Sequence, residues 1–176
     1  MTTILGMSTA TYTLIHVLIS LVGIASGFVV VYGLLGGKRL DRWTAIFLTT
    51  TVLTSVTGFG FPIGDHLSPA NKVGIISLVV LAIAIVARYP LHLAGGWRRT
   101  YVISAAIALY LNTFVLVVQS FEKVPALKAL APTQKEAPFV VAQLVVMAIF
   151  VVLTIFAVKR FRNQPVAVSS SAGKAA

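Results

Sequence analysis

The sequence predicts an all-α fold: a polytopic transmembrane bundle of five spanning helices. Three observations carry this. Apolar residues make up 58% of the 176 positions and charged residues only 10%, whereas an ordinary soluble domain is about a quarter charged. So little polar surface cannot solvate a globule of this size, and the solvent for most of it must be lipid. Apolar runs of about 20 residues recur five times, the length at which a helix rising about 1.5 Å per residue crosses about 30 Å of hydrocarbon. Charged residues sit in short clusters between those runs, and none occurs in residues 1–37.

The first span is expected over Tyr12 to Leu35, ended by the tight basic turn Gly36-Gly37-Lys38-Arg39-Leu40-Asp41-Arg42. The second runs from Trp43 to about Phe61, where Pro62-Ile63-Gly64-Asp65-His66-Leu67-Ser68-Pro69 breaks the helix. The third covers Ala70 to Tyr89, with Arg88 expected to snorkel to the interface. The fourth covers Thr100 to Phe121 and the fifth Pro138 to about Val158. Between the last two, Val124, Leu127 and Leu130 recur every third residue; a turn or two of interfacial helix fits, though an ordinary surface loop is the simpler expectation. One transmembrane domain therefore occupies residues 1–162, and the Ser/Ala/Gly-rich stretch 163–176 is expected to be a disordered tail. No basic n-region precedes the first apolar run, which is too long for a signal h-region, so it is read as a retained helix rather than a cleaved signal.

The formal charge of +10 invites a nucleic-acid reading, which its distribution removes. With five spans, one side receives Lys38, Arg39, Arg42, Arg88, Arg98, Arg99, Lys159, Arg160, Arg162 and Lys174. The other receives Lys72, Lys123, Lys128 and Lys135, with Asp65, Glu122 and Glu136. Every arginine is on the richer side, so the positive-inside rule places the C-terminus in the cytoplasm and the N-terminus outside. Trp43, Tyr89, Trp97, Tyr101 and Phe161 would form an aromatic belt on that face. There is no cysteine, which excludes disulfides, thiolate metal sites and cysteine nucleophiles.

Lipid gives helices no hydrophobic reason to associate, so small residues and hydrogen bonds must join them. His16, Ser20, Gly23 and Gly27 share one stripe of the first helix, with Gly23 and Gly27 as a G-x-x-x-G pair. Thr50, Thr54 and Gly58 line the second helix, Ser104, Ala108 and Asn112 the fourth, and Gln143, Met147 and Thr154 the fifth. The helix-packing residues expected from this are Gly23, Gly27, Thr54, Gly58 and Asn112. The third helix, almost wholly aliphatic, is expected at the periphery.

No Asp, Glu, Lys or Arg falls in mid-span, and no H-E-x-x-H, G-x-S-x-G or paired-carboxylate pattern occurs, so no catalytic residue and no metal site is expected. Polar residues do gather toward the outer side. His16 and Gln143 lie roughly 6 Å inside their helix starts; Gln119 is near the end of the fourth helix, and Asp65 and His66 occupy the outer loop. These five define a candidate outward-facing polar pocket, against the plainer reading of interhelical hydrogen bonds for His16 and a solvated loop pair for Asp65 and His66. A b-type haem would need two axial ligands at matched depth, and His16 with His66 is the one pair near the outer side. Haem b is thus the alternative to no cofactor.

The run Lys-Ala-Leu-Ala-Pro-Thr-Gln-Lys-Glu-Ala-Pro-Phe at 128–139, and His16 followed by the Gly36-to-Arg42 turn, resemble segments of small uncharacterised bacterial inner-membrane proteins. That resemblance covers most of the chain, implies a bacterial cytoplasmic-membrane setting and transfers no catalytic residue. The reading is a non-enzymatic structural or accessory membrane bundle whose partners are the lipid bilayer and a second copy or another membrane protein, not nucleic acid. The rivals are a haem- or small-molecule-binding protein using the outer polar cluster, and an oligomeric channel or transporter.

Overall fold

The computed structural model describes residues 3–61 and 69–161. Asp65, His66 and the 163–176 tail lie outside the described residues. A two-residue hairpin, β1 (Thr3–Ile4) paired antiparallel with β2 (Met7–Ser8), precedes six helices: α1 (Thr9–Leu35), α2 (Asp41–Gly58), α3 (Pro69–Arg88), α4 (Trp97–Lys123), α5 (Pro125–Leu130) and α6 (Ala137–Arg160). The fold is all-α as expected, and a helix stands at each of the five expected positions, its ends within three residues of the expected ones. The Ser8 side chain caps α1 by accepting from the Thr11 N–H at 3.1 Å, which starts the helix before Tyr12. Of these helices, α1, α3, α4 and α6 are long and apolar enough to cross a membrane. The 18-residue α2 carries Thr44, Thr49, Thr50, Thr51, Thr54, Ser55 and Thr57 and is less apolar.

α2 lies antiparallel against α1 along its whole length. Thr57 meets Tyr12 and His16, Thr50 and Thr51 face Gly23, Phe47 faces Gly27, and Leu40 faces Gly33. Three of the α2 hydroxyls are satisfied within their own helix: Thr50 donates to Ile46 O at 2.7 Å, Ser55 to Thr51 O at 3.0 Å and Thr57 to Leu53 O at 2.7 Å. A threonine-rich helix can in this way sit among apolar neighbours with few unmatched donors.

Four expectations are corrected. α3 is not peripheral; it packs on both α2 and α4. Ser77, Leu81, Ala84 and Arg88, at i, i+4, i+7 and i+11, are buried along one stripe. The small side chains let neighbouring helices approach, and aliphatic content alone says nothing about position where lipid and protein interior are equally apolar. The least covered spanning helix is α6, which buries only Gln143, Phe150 and Ala157, a single line at seven-residue spacing. Met147, expected on that face, is 43% exposed. In the aromatic belt, Trp43, Tyr89 and Trp97 are exposed as expected, but Tyr101 and Phe161 are buried and stack on each other at 6.5 Å. Finally, the connection before α6 contains the short helix α5, none of whose residues is buried, where an ordinary loop was the simpler expectation.

Candidate functional site

Polar side chains inside the bundle occupy three tiers. In the outer tier, Thr57 has one hydroxyl proton, and the 2.7 Å bond to Leu53 O uses it. The 2.8 Å contact between Thr57 Oγ1 and His16 Nδ1 must then be a bond donated by His16. In the neutral imidazole this places the hydrogen on Nδ1 and the lone pair on Nε2. The Phe61 ring packs edge-on against both His16 (5.3 Å) and Tyr12 (5.2 Å), and Tyr12 donates to Thr57 O at 2.7 Å. Gly58 lies beside the imidazole, where a Cβ would stand in ordinary contact, 3.8 Å from His16 Cε1.

On the α4/α6 side, Gln143 Nε2 donates to Phe114 O at 3.2 Å, while its buried Oε1 has no protein partner. Gln119 is exposed. α1, α4 and α6 are mutual neighbours, yet His16 bonds into α2 and Gln143 into the α4 backbone, and no hydrogen bond joins His16, Gln119 and Gln143 to one another. The pocket expected from shared depth is thus two separate polar groups among the described residues. Tyr12, Thr57 and Phe61 complete the first of them. Tyr12 could have been found in the sequence, one turn before His16 on the same stripe. Thr57 could not, because its partner depends on how α2 registers against α1.

The middle tier holds α2, α4 and α1 together. Asn112 Nδ2 donates to Thr51 Oγ1 at 3.4 Å, and the side of Gly23 lies against both. The Ser55 and Ser77 hydroxyls lie 3.1 Å apart in a hydrogen bond that ties α2 to α3. Thr54 is half-buried, with a hydroxyl that has no hydrogen-bond partner. Gly23, Gly27, Gly58 and Asn112 each stand against a side chain of another helix.

The inner tier contains the feature that sequence reasoning missed. Arg88 does not snorkel. Its side chain is 3% exposed and bonds Asp41 Oδ1 at 2.5 Å, while Asp41 itself is 73% exposed. The guanidinium lies 5.0 Å from the Tyr101 ring centre and 5.9 Å from that of Tyr89, and Tyr101 donates to Thr44 at 3.4 Å. Asp41 is the first residue of α2 and Arg88 the last of α3, so each charge also favours the dipole of its helix end. The sequence placed both on one side; only packing brings them together.

At the opposite end, Glu136 accepts from Thr133 Oγ1 (2.8 Å), Thr133 N (3.2 Å) and Lys135 N (3.0 Å). Partial desolvation would raise its pKa, but those bonds outweigh it and hold the carboxyl below its ordinary value.

Four helices long and apolar enough to span, with apolar side chains turned outward and polar ones paired within, define the class: a helical membrane protein. Comparison with protein-family models, curated proteins and solved structures finds no match to this chain.

Proposed function

We propose that the chain is a five-span bundle of the bacterial cytoplasmic membrane, N-terminus outside and C-terminus inside, acting as a non-enzymatic structural or accessory component. The observation that supports it most is the solid interior. Phe47, Leu81, Tyr101 and Leu109 are at most 1% exposed, and the polar groups among them are largely paired with one another. A filled centre suits a scaffold rather than a conduit within one chain. The register of α2 along α1 supports the fifth crossing, since a helix antiparallel to a spanning helix from Leu40 to Thr57 covers the same depth. The basic segments also converge at one end: Arg88 reaches Asp41, Arg98 lies over the Phe161 ring, and a Cβ on Gly37 would lie 3.7 Å from Arg160 O.

Two measurements test this. The chain has no cysteine, so single replacements Lys38→Cys, Lys72→Cys, His92→Cys and Lys128→Cys report topology directly. A membrane-impermeant maleimide should label positions 72 and 128 in intact cells, and 38 and 92 only after permeabilisation. An inside position for 72 would mean that α2 does not cross. Reconstituted into liposomes, the chain should leave a trapped dye and an imposed proton gradient intact; leakage rising with protein-to-lipid ratio would replace this reading with the channel.

A further inference from the structure

We infer that the seam between α4 and α6 is a binding site for one anionic phospholipid, its acyl chain in an apolar groove and its headgroup against the arginines at the basic end. The groove has a volume of about 320 Å³ and is walled by Ile103, Ile107, Met147, Val151 and Ile155, each at least 39% exposed. Its floor is Ala106 with Tyr110 and Phe150, whose rings meet edge-on at 5.7 Å. Thr154, one of two hydroxyl-bearing residues in the lining with Tyr110, is satisfied by Phe150 O at 2.7 Å.

Length and charge decide the occupant. Arg99 is one turn before Ile103 on the same face of α4, and Tyr110 marks the groove's far end. Eleven residues of helix separate Arg99 from Tyr110, about 16 Å of rise, which is about half the hydrocarbon thickness. With its lining on α4 from Ile103 to Tyr110 and Arg99 one turn outside it, the groove and its basic end together cover the depth of one leaflet. Around its basic end, Gly95, Gly96, Arg98 and Arg99 line an open pocket of about 490 Å³. Arg98 lies 5.8 Å from the Phe161 ring centre, just beyond the end of α6, which places it at the seam itself. Lys159 stands one turn past Ile155 on α6. The loop carrying the glycines is anchored by Leu93, which is 2% exposed and donates its N–H to Ala87 O at 3.0 Å. An apolar slot of one-leaflet depth, open to lipid and closed at one end by cations, fits an acyl chain joined to a phosphate. A second copy of the chain would bring its own basic cluster against this one.

The test is native mass spectrometry of the detergent-purified chain titrated with palmitoyl-oleoyl phosphatidylglycerol, phosphatidylcholine of the same chains, or inorganic phosphate. One phosphatidylglycerol should be retained in preference to phosphatidylcholine. Arg98→Gln and Arg99→Gln should each lower its affinity about fivefold, the effect of one interfacial charge. Ala106→Trp, which fills the groove, should remove the retained lipid while both arginines stay. Arg99 is exposed, so its variant should fold and keeps the comparison interpretable if Ala106→Trp does not. Equal retention of both lipids, full competition by inorganic phosphate, or a change from dimer to monomer in Ala106→Trp with no change in lipid would each overturn the assignment.

Discussion

Gly27→Ala should lower the thermal stability of the detergent-solubilised protein, and Gly27→Leu should prevent the native bundle from forming. A Cβ on Gly27 would lie 2.5 Å from Leu109 Cδ1 and 2.9 Å from the Phe47 ring. Leu109 is fully buried and Phe47 is 1% exposed, so neither has space to retreat. Overpacking of this kind costs about 1–3 kcal/mol for small additions, more than the roughly 1 kcal/mol that alanine gains over glycine in a helix. Gly23 gives the contrast. Its Cβ would stand 3.2 Å from Thr50 Oγ1 and 3.3 Å from Thr51 Oγ1, an approach relieved by shifts of a few tenths of an ångström. Gly23→Ala should therefore be near neutral, while Gly23→Leu should still push the helices apart. Thermal unfolding of all four variants checks the order; equal melting of Gly27→Ala and wild type would show that α1 does not approach α4 at this point.

Asp41→Ala should destabilise the protein more than Arg88→Met does, although both remove the same ion pair. Removing Asp41 leaves the guanidinium at 3% exposure without its anion. Stranding a buried charge typically costs about 3–5 kcal/mol, and the 73% exposure of Asp41 moderates the loss toward about 2 kcal/mol. Removing Arg88 instead leaves an exposed carboxylate that water solvates, and methionine fills the space beside Tyr101. What is lost is mainly the cation–π contact, worth about 1 kcal/mol. The double variant Asp41→Ala/Arg88→Met should accordingly melt above Asp41→Ala alone. If the double variant is instead the least stable, Arg88 is not held as a buried cation and the inner tier has been misassigned.

Helix positions were legible in the sequence because a spanning helix has to satisfy its own backbone and be apolar for a set length, and both requirements are local. The stripes of Gly23, Gly27, Ser104, Ala108 and Asn112 were legible for a similar reason: small and polar side chains are accommodated between helices rather than against lipid. The outer pocket was read from shared depth and from His16 lying on the Gly23 and Gly27 face, and neither chooses a partner. His16 turns to Thr57 on α2, and Gln143 to a backbone carbonyl on α4. Asp65 and His66 lie outside the described residues, so nothing is added for them. α3 was misplaced because lipid and helix interior select the same aliphatic residues.

By itself the sequence determined that the chain is a helical membrane protein, that its helices meet through small and polar residues, and that its arginines fall in short clusters outside the apolar runs. These follow from composition and from distances along the chain. Tertiary structure alone decided which helix lies beside which, that Arg88 is a buried cation rather than an interfacial one, and that Gly27 is a tighter contact than Gly23. Each of those depends on a side chain from another helix. In a membrane, where burial against lipid and against protein look alike in sequence, only the rotation and register of packed helices distinguish them.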